Sequence, residues 1–251
     1  MCIVKEEKKR ILKKSTAVVL IVFLVLLLDQ VLKIWVKTNL EYGEEIKLLG
    51  LNWARIHFVE NKGMAFGWEL GGQYGKLILS LFRIFAVGFL IYYIRMLIKK
   101  EVSLGLLTCF ALILSGAIGN IIDSAFYGLI FSETPHHGVA TMFPEGGGYA
   151  GFLYGKVVDM LYFPMFRGHY PDWFPGIGGE PFLFFGPVFN LADTAISVGV
   201  ISLILFHRDF FNAEEEEAAP AATEVVRGEL DNESVEEVDE SDEGTKPASE
   251  V

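Results

Sequence analysis

The sequence predicts an all-α membrane core of four transmembrane helices, a small extracytoplasmic β element and a disordered acidic C-terminal tail. Three observations predict it. Four apolar windows are long enough to cross a bilayer, basic clusters flank them consistently, and composition changes abruptly near Phe210. A spanning helix needs ~20 mostly apolar residues, and the windows lie near 16–36, 76–98, 104–123 and 187–207.

The first window follows Lys5, Lys8, Lys9, Arg10, Lys13 and Lys14, which also suits the basic start of a signal peptide. Its apolar run is long, it holds Asp29 and Lys33, and it lacks a small-x-small cleavage site, so a retained helix is expected. Basic residues at membrane-helix ends favour the cytoplasmic side. The N-terminal cluster, the group Arg95, Lys99 and Lys100, and the pair His207 and Arg208 share that side only if both termini are cytoplasmic. Two external loops result, 37–75 and about 124–186. The first contains the strand-like run LNWARIHFVE and is expected to form the β element. The second is rich in Gly, Pro and aromatic residues suited to the headgroup layer.

The net charge of −11 misleads as a property of the whole chain. The acids of 210–251 meet only Arg227 and Lys246, so the rest of the chain is close to neutral. Such a stretch buries too little apolar surface to fold, which divides the chain into a membrane domain, 1–209, and a cytoplasmic tail, 210–251. Cys2 and Cys109 lie in dissimilar surroundings, so no disulfide and no reactive thiol is expected.

Four aspartates fall near one level at the outer interface: Asp29 in the first helix, Asp123 closing the third, Asp193 near the start of the fourth, and Asp159 in the loop before it. Ionisable groups at membrane depth are costly and usually face a polar cavity. Asn120/Asp123 and Asn190/Asp193 stand three residues apart, on one helical face. Asp29 and Lys33, four apart, suit an ion pair. Two carboxylates close enough to share one proton suit hydrolysis by water, one as base and one as acid. Spacing alone leaves open which two of the four they are.

The stretches DQVLK (29–33), NKGMAFG (61–67), SGAIGNIID (115–123), VVDM (157–160) and FNLADTAIS (189–197) resemble, in order, the motifs of the lipoprotein signal peptidase (signal peptidase II) family. The resemblance spans all four windows and both loops, but not the tail. It implies an intramembrane aspartic endopeptidase of the bacterial inner membrane that removes the signal peptide of prolipoproteins. The cut falls just before the diacylglyceryl-modified cysteine. It also implies a dyad of Asp159 and Asp193, with Asn61, Asn120, Asp123 and Asn190 orienting substrate or dyad. Asp29 and Lys33 support from the first helix, and Gly63 and Gly116 permit close backbone approach. Partners are then the lipidated substrate and membrane lipids, with no cofactor and no nucleic acid.

Two departures stand out. The family usually has Arg after GNxxD, where Ser124 stands here, and Lys156 or Arg167 are the nearest replacements in sequence. About 128–154 is an insertion, read as a lid or as external decoration.

Plainer readings compete. Asp193 as a helix cap is disfavoured by its expected depth, and Asp29/Lys33 as a satisfied buried pair is as good a reading as substrate contact. His136, His137 and His169 lack metal-ligand spacing, and Ser115 and Ser197 lack a base at motif distance. A transporter or channel using the aspartates as proton or cation ligands is the rival class. It sits poorly with four spans, no repeat and carboxylates at one interface.

Overall fold

The computed structural model describes residues 2–61, 72–208 and 210. The acidic tail expected to be disordered, and Gly63, lie outside the described residues. The features below belong to the first of two compact units, Met1–Leu203, apart from the last residues of the final helix.

Helix α1 (Cys2–Asn39) contains the first window and extends well past it at both ends. Helix α2 (Gly72–Lys99) contains the second. Helix α3 (Leu104–Ile122) starts where the Ser103 side chain accepts from the Leu106 amide at 3.2 Å, satisfying one of the free donors of the first turn. The α-helix closes at Asp123, its C-cap, as expected. The helical path continues through a π-turn, Asp123–Tyr127, into the short α4 (Gly128–Ile130). π-turns are rare and recur at functional sites; this one holds the buried Asp123 and Tyr127.

By length and composition three helices suffice to cross a membrane: Glu6–Asn39, Gly75–Lys99 and Leu104–Ile130. Apolar side chains such as Val19, Phe23, Phe82, Phe85 and Phe89 are exposed on them, as expected of surfaces solvated by lipid. The fourth window yields α5 (Leu191–Phe206), which has 16 residues. At 1.5 Å per residue it is about 24 Å long, short of a ~30 Å hydrocarbon core. Four full-length spans are therefore not what the described residues present.

The expected β element forms, and it is larger than the first loop alone. Strands β1 (Glu45–Lys47), β2 (Arg55–Asn61) and β3 (Val157–Tyr162) make an antiparallel sheet in that order. The last strand comes from the second loop. Strands β4 (Phe166–His169) and β5 (Pro181–Phe184) form a separate hairpin lined by aromatic rings, with Phe166 stacked on Phe184 at 4.6 Å.

One face of the three-stranded sheet closes a core of Val36, Leu40, Ile56, Phe58, Tyr127, Phe131, Val158 and Met160. This cluster joins the top of α1, the π-turn and the sheet, and so fixes β3 against α1 and α3. Gly116 fixes α5: a Cβ there would lie 2.2 Å from the Ala192 carbonyl oxygen, a contact that any side chain would abolish.

Candidate active site

The start of α5 is built from its own sequence. Asn190 precedes the first helical residue; its Oδ1 accepts from the Asp193 amide at 2.9 Å, while Asp193 Oδ2 accepts from the Asn190 amide at 3.3 Å. This reciprocal arrangement is a capping box, with Asn in place of Ser or Thr and Asp in place of Glu. Asp193 thus sits in the first turn of α5. The expectation that depth would keep it from a capping role is corrected, because the helix begins at Leu191 and not at 187. Capping uses one carboxylate oxygen; the other, Oδ1, accepts from Asn120 Nδ2 at 2.8 Å.

A second carboxylate serves the same helix end from outside. Asp29 Oδ1 on α1 accepts from the Ala192 amide at 2.9 Å. A carboxylate at a helix N-terminus meets both a free N–H and the positive end of the dipole. Asp29 Oδ2 pairs with Lys33 Nζ at 2.9 Å, one turn along α1, and Lys33 reaches Asp123 Oδ2 at 2.8 Å and Asn120 Oδ1 at 3.1 Å. Lys33 and Asp123 are fully buried and Asp29 is 1% exposed. Gln30 closes the frame, donating to Asp123 Oδ1 at 2.9 Å and accepting from the Tyr127 hydroxyl at 3.1 Å. Such charges survive burial because every one is matched by an opposite charge or a donor.

Strand β3 brings the fourth aspartate. The Val158 amide donates to Asp123 Oδ2 at 3.3 Å, and the Met160 and Leu161 amides donate to the Phe189 carbonyl at 3.0 and 2.7 Å. Asp159, between them, is thereby held next to Asn190. Asn190 Nδ2 donates to Asp159 Oδ1 at 2.6 Å and to Asn120 Oδ1 at 3.1 Å. The Asn61 side chain, at the end of β2, also hydrogen-bonds Asp159. Burial first, and then the charge of the neighbouring Asp193, push the Asp159 carboxyl up to about 7. The amides of Asn120 and Asn190 therefore link two carboxylates that are distant in sequence, and each carboxylate feels the other.

The structure brings together Asp159, Asp193, Asp29, Lys33, Asn61, Asn120, Asp123 and Asn190 from the sequence-expected set, with Gly116 against α5. It also supplies Gly119, where a Cβ would come 2.8 Å from Asp29 Oδ2. Sequence reasoning missed Gln30, Tyr127 and Arg83. A polar residue beside Asp29 inside an apolar run was a signal for Gln30, and a charge in the middle of the second window, between Lys76 and Arg95, was one for Arg83.

The two residues nearest in sequence to replace an arginine at position 124 stand as follows. Lys156 is engaged by Glu133 and, at 3.1 Å, by Glu60, while Arg167 lies on β4, paired in register with Leu183. Ser124 turns back onto its own helix, donating to the Asn120 carbonyl at 3.0 Å. The insertion is anchored at its base: Glu60 takes Lys37 and also Thr134 at 2.8 Å, and Tyr149 and Ala150 donate to the carbonyls of Phe131 and Gly128 at 3.1 and 2.9 Å. Burial pushes the Glu60 carboxyl up, but Lys37 and Lys156 outweigh it and hold it below the ordinary carboxylate range.

Comparison with known proteins gives three findings. The sequence pattern of the family described as Signal peptidase (SPase) II matches residues 21–208. The chain is 54% identical over 183 residues to the lipoprotein signal peptidase of Porphyromonas gingivalis, covering 72% of this chain and 78% of that protein. It is 41% identical over 210 residues to the lipoprotein signal peptidase of Amoebophilus asiaticus, covering 82% of this chain and 83% of that one.

Proposed function

We infer the reaction from a premise the comparisons supply, that this chain belongs to the signal peptidase II family. It is a membrane peptidase that removes signal peptides from prolipoproteins. We propose that it does so as an aspartic endopeptidase with Asp159 and Asp193 as its dyad. The observation that carries this reading is the Asn120–Asn190 bridge, which sets those two carboxylates against one another in a buried site.

Two adjacent carboxylates cannot both ionise easily, so the pair holds one proton and titrates as a unit. Burial places that proton preferentially on Asp159, from which it polarises the scissile carbonyl. Its partner in the pair, Asp193, takes a proton from water as the water oxygen bonds to the carbonyl carbon. The resulting tetrahedral centre collapses when the amide nitrogen receives a proton, the C–N bond breaks, and a carboxylic acid and an amine leave. Asn120 and Asn190 hold the carboxylates at working separation. Asp29 does the same at one remove, because it holds the α5 N-terminus.

The fourth crossing by α5, both termini in the cytoplasm and a cleft at the outer face complete the proposal. A site at headgroup depth lets a diacylglyceryl cysteine stay in lipid while the peptide bond before it reaches water. The same reading makes 1–209 the catalytic domain and 210–251 a cytoplasmic appendage. The test is cleavage of a diacylglyceryl-modified prolipoprotein and its unlipidated counterpart by lipid-reconstituted protein. Asp159→Asn and Asp193→Asn are each expected to abolish cleavage while leaving the fold intact. The unlipidated peptide is expected to be cut poorly by the parent protein. Full activity in either variant would remove that residue from the dyad.

A further inference from the structure

Two adjoining cavities lie between α1 and α2, toward the N-terminal end of α1. The larger, about 430 Å³, is lined by Ser15, Val18, Val22 and Leu26, which repeat as one face of α1. Ile94 and Ile98 of α2 and Leu114 of α3, all buried, line it too. Val19 and Phe23 on its lining are exposed, so it opens toward lipid. The smaller, about 370 Å³, shares Ser15, Arg95 and Ile98 with it and adds Ile11, Tyr92 and Lys99. Together they make one groove, apolar along its length and basic at one end. The stripe from Ser15 to Leu26 is about 17 Å long at a rise of ~1.5 Å per residue. One leaflet contributes about half of a ~30 Å hydrocarbon core, so the groove has the length of a single acyl layer.

The basic end is free to take an anion. Arg95 and Lys99 are exposed and make no hydrogen bond or ion pair among the described residues, and the half-buried Ser15 hydroxyl has no partner there either. The nearby Glu101 is already engaged by Arg10 at 3.4 Å. Lys14 Nζ donates to the carbonyls of Glu101 and Val102, both at 2.8 Å. These contacts set the basic start of α1 level with the end of α2, so Arg10, Lys14, Arg95 and Lys99 gather at one depth. Glu6 and Glu7, at the start of α1, form no ion pair with them among the described residues. Basic pockets between membrane helices hold anionic headgroups. A further transmembrane helix is a poorer occupant. The signal helix of a substrate follows a basic segment, and a second copy of this chain carries the same basic end, so either would meet Arg95 and Lys99 with like charge.

We propose that the α1–α2 groove binds an anionic phospholipid, with an acyl chain along the Ser15–Leu26 stripe and the phosphate at Arg95, Lys99 and Ser15. The topology proposed above puts this end at the cytoplasmic face, the leaflet surface that carries anionic lipid. The site is separate from the carboxylates, because Asp29 and Lys33 lie on α1 beyond the last groove residue. It does not depend on the dyad.

The experiment titrates phosphatidylglycerol and phosphatidylcholine separately into the full-length protein in detergent and reads bound lipid by native mass spectrometry. The parent is expected to bind phosphatidylglycerol about 25-fold more tightly, at roughly five-fold for each cation that faces the phosphate. Arg95→Gln/Lys99→Gln is expected to abolish that preference. Lys9→Gln/Lys13→Gln, which removes equal charge from residues that do not line the groove, is expected to keep it. Val22→Phe, which fills the stripe, is expected to weaken both lipids. Equal affinity of the parent for the two lipids overturns the proposal, as does a preference that survives Arg95→Gln/Lys99→Gln. A preference lost equally in Lys9→Gln/Lys13→Gln overturns it in favour of diffuse surface attraction, and parent-like affinities in Val22→Phe overturn the acyl seat. If the Arg95→Gln/Lys99→Gln variant does not fold, Arg95→Gln alone decides, with a fall in preference of about five-fold expected and no fall overturning the proposal.

Discussion

Replacing Lys33 with Met tests whether the frame behind the site is a matched charge cluster or a set of incidental contacts. The ammonium is fully buried and contacts Asp29 at 2.9 Å, Asp123 at 2.8 Å and Asn120 at 3.1 Å. Methionine fills most of the stem's volume, so packing changes little and the perturbation is chiefly electrostatic. Two carboxylates are left buried without their cation. Breaking a buried pair by removing one partner costs about 3–5 kcal/mol, or a fall in apparent Tm of roughly 6–20 °C for a chain of this size. Asp29→Asn serves as the internal comparison. Its Oδ1 still accepts from the Ala192 amide, and Lys33 keeps Asp123, so the loss is that of one charge-assisted contact, about 1.5–3 kcal/mol. The assay is thermal or SDS-titrated unfolding in micelles, followed by cleavage activity at a temperature where both variants are folded. The expected order is Lys33→Met far below Asp29→Asn. A Lys33→Met variant within about 1 kcal/mol of the parent would show that the cluster is solvated, or already neutral, and would refute the reasoning.

The raised Asp159 carboxyl, about 7, makes a stability prediction of definite sign. A folded-state value above the unfolded one gives stability that is present at low pH and lost as pH rises through about 7. Asp159→Asn, which retains the acceptor for Asn190, is therefore expected to unfold later than the parent at pH 8 by a few kcal/mol, with the difference vanishing toward pH 4; equal melting at pH 8 would count against the burial of that charge. Gly116→Leu is expected to drive α3 from α5 and to lower both stability, by about 1–3 kcal/mol or more, and cleavage, because the clash is with backbone only 2.2 Å away.

What the sequence disclosed follows from which interactions are local. The i,i+4 spacing of Asp29 and Lys33 marks an ion pair without reference to the rest of the chain, and the structure forms it. The three-residue spacing of Asn190 and Asp193 likewise encodes a cap, although the sequence reading favoured depth over capping. Partner choice across elements was not legible. Asn120 has Asp123 at the same helical spacing, yet its amide goes to Asp193, because Lys33, Gln30 and the Val158 amide already occupy Asp123. Strand β3 was hidden for a related reason. VVDM is buried at all four positions, so it shows no alternation by which a strand is recognised. The continuation of α3 past Asp123 depends on a π-turn, which leaves no sequence period to read.

The pairing of β2 with β3 explains how an anchored insertion and a candidate dyad residue coexist on a few adjacent residues. Successive side chains of a strand point to opposite faces. Glu60 opposes Val158 in the register, and Val59 opposes Asp159. Glu60 and Val158 share the face of the apolar core, where Glu60 gathers Lys37, Lys156 and Thr134. Val59, Asn61 and Asp159 share the other face, where Asn61 reaches Asp159 diagonally. A shift of one residue in this pairing would carry Asp159 into the apolar core and Val158 into the site. Protection against that shift comes from one face and from the strand's edge: Phe58 and Val158 are fully buried on the core face, and the Phe189 carbonyl accepts from the Met160 and Leu161 amides toward the far end of β3. The irregularity in register between Ile56 and Val59 falls before the residues that serve the site, which lets the sheet twist without disturbing them. Anchoring of the insertion and positioning of the carboxylates are thus set by one strand pair but exerted on different faces. A change such as Glu60→Gln therefore acts on the hold over 133–134 through Lys37 and Lys156, while the hydrogen bonds that Asn61 and Asn190 make to Asp159 remain in place.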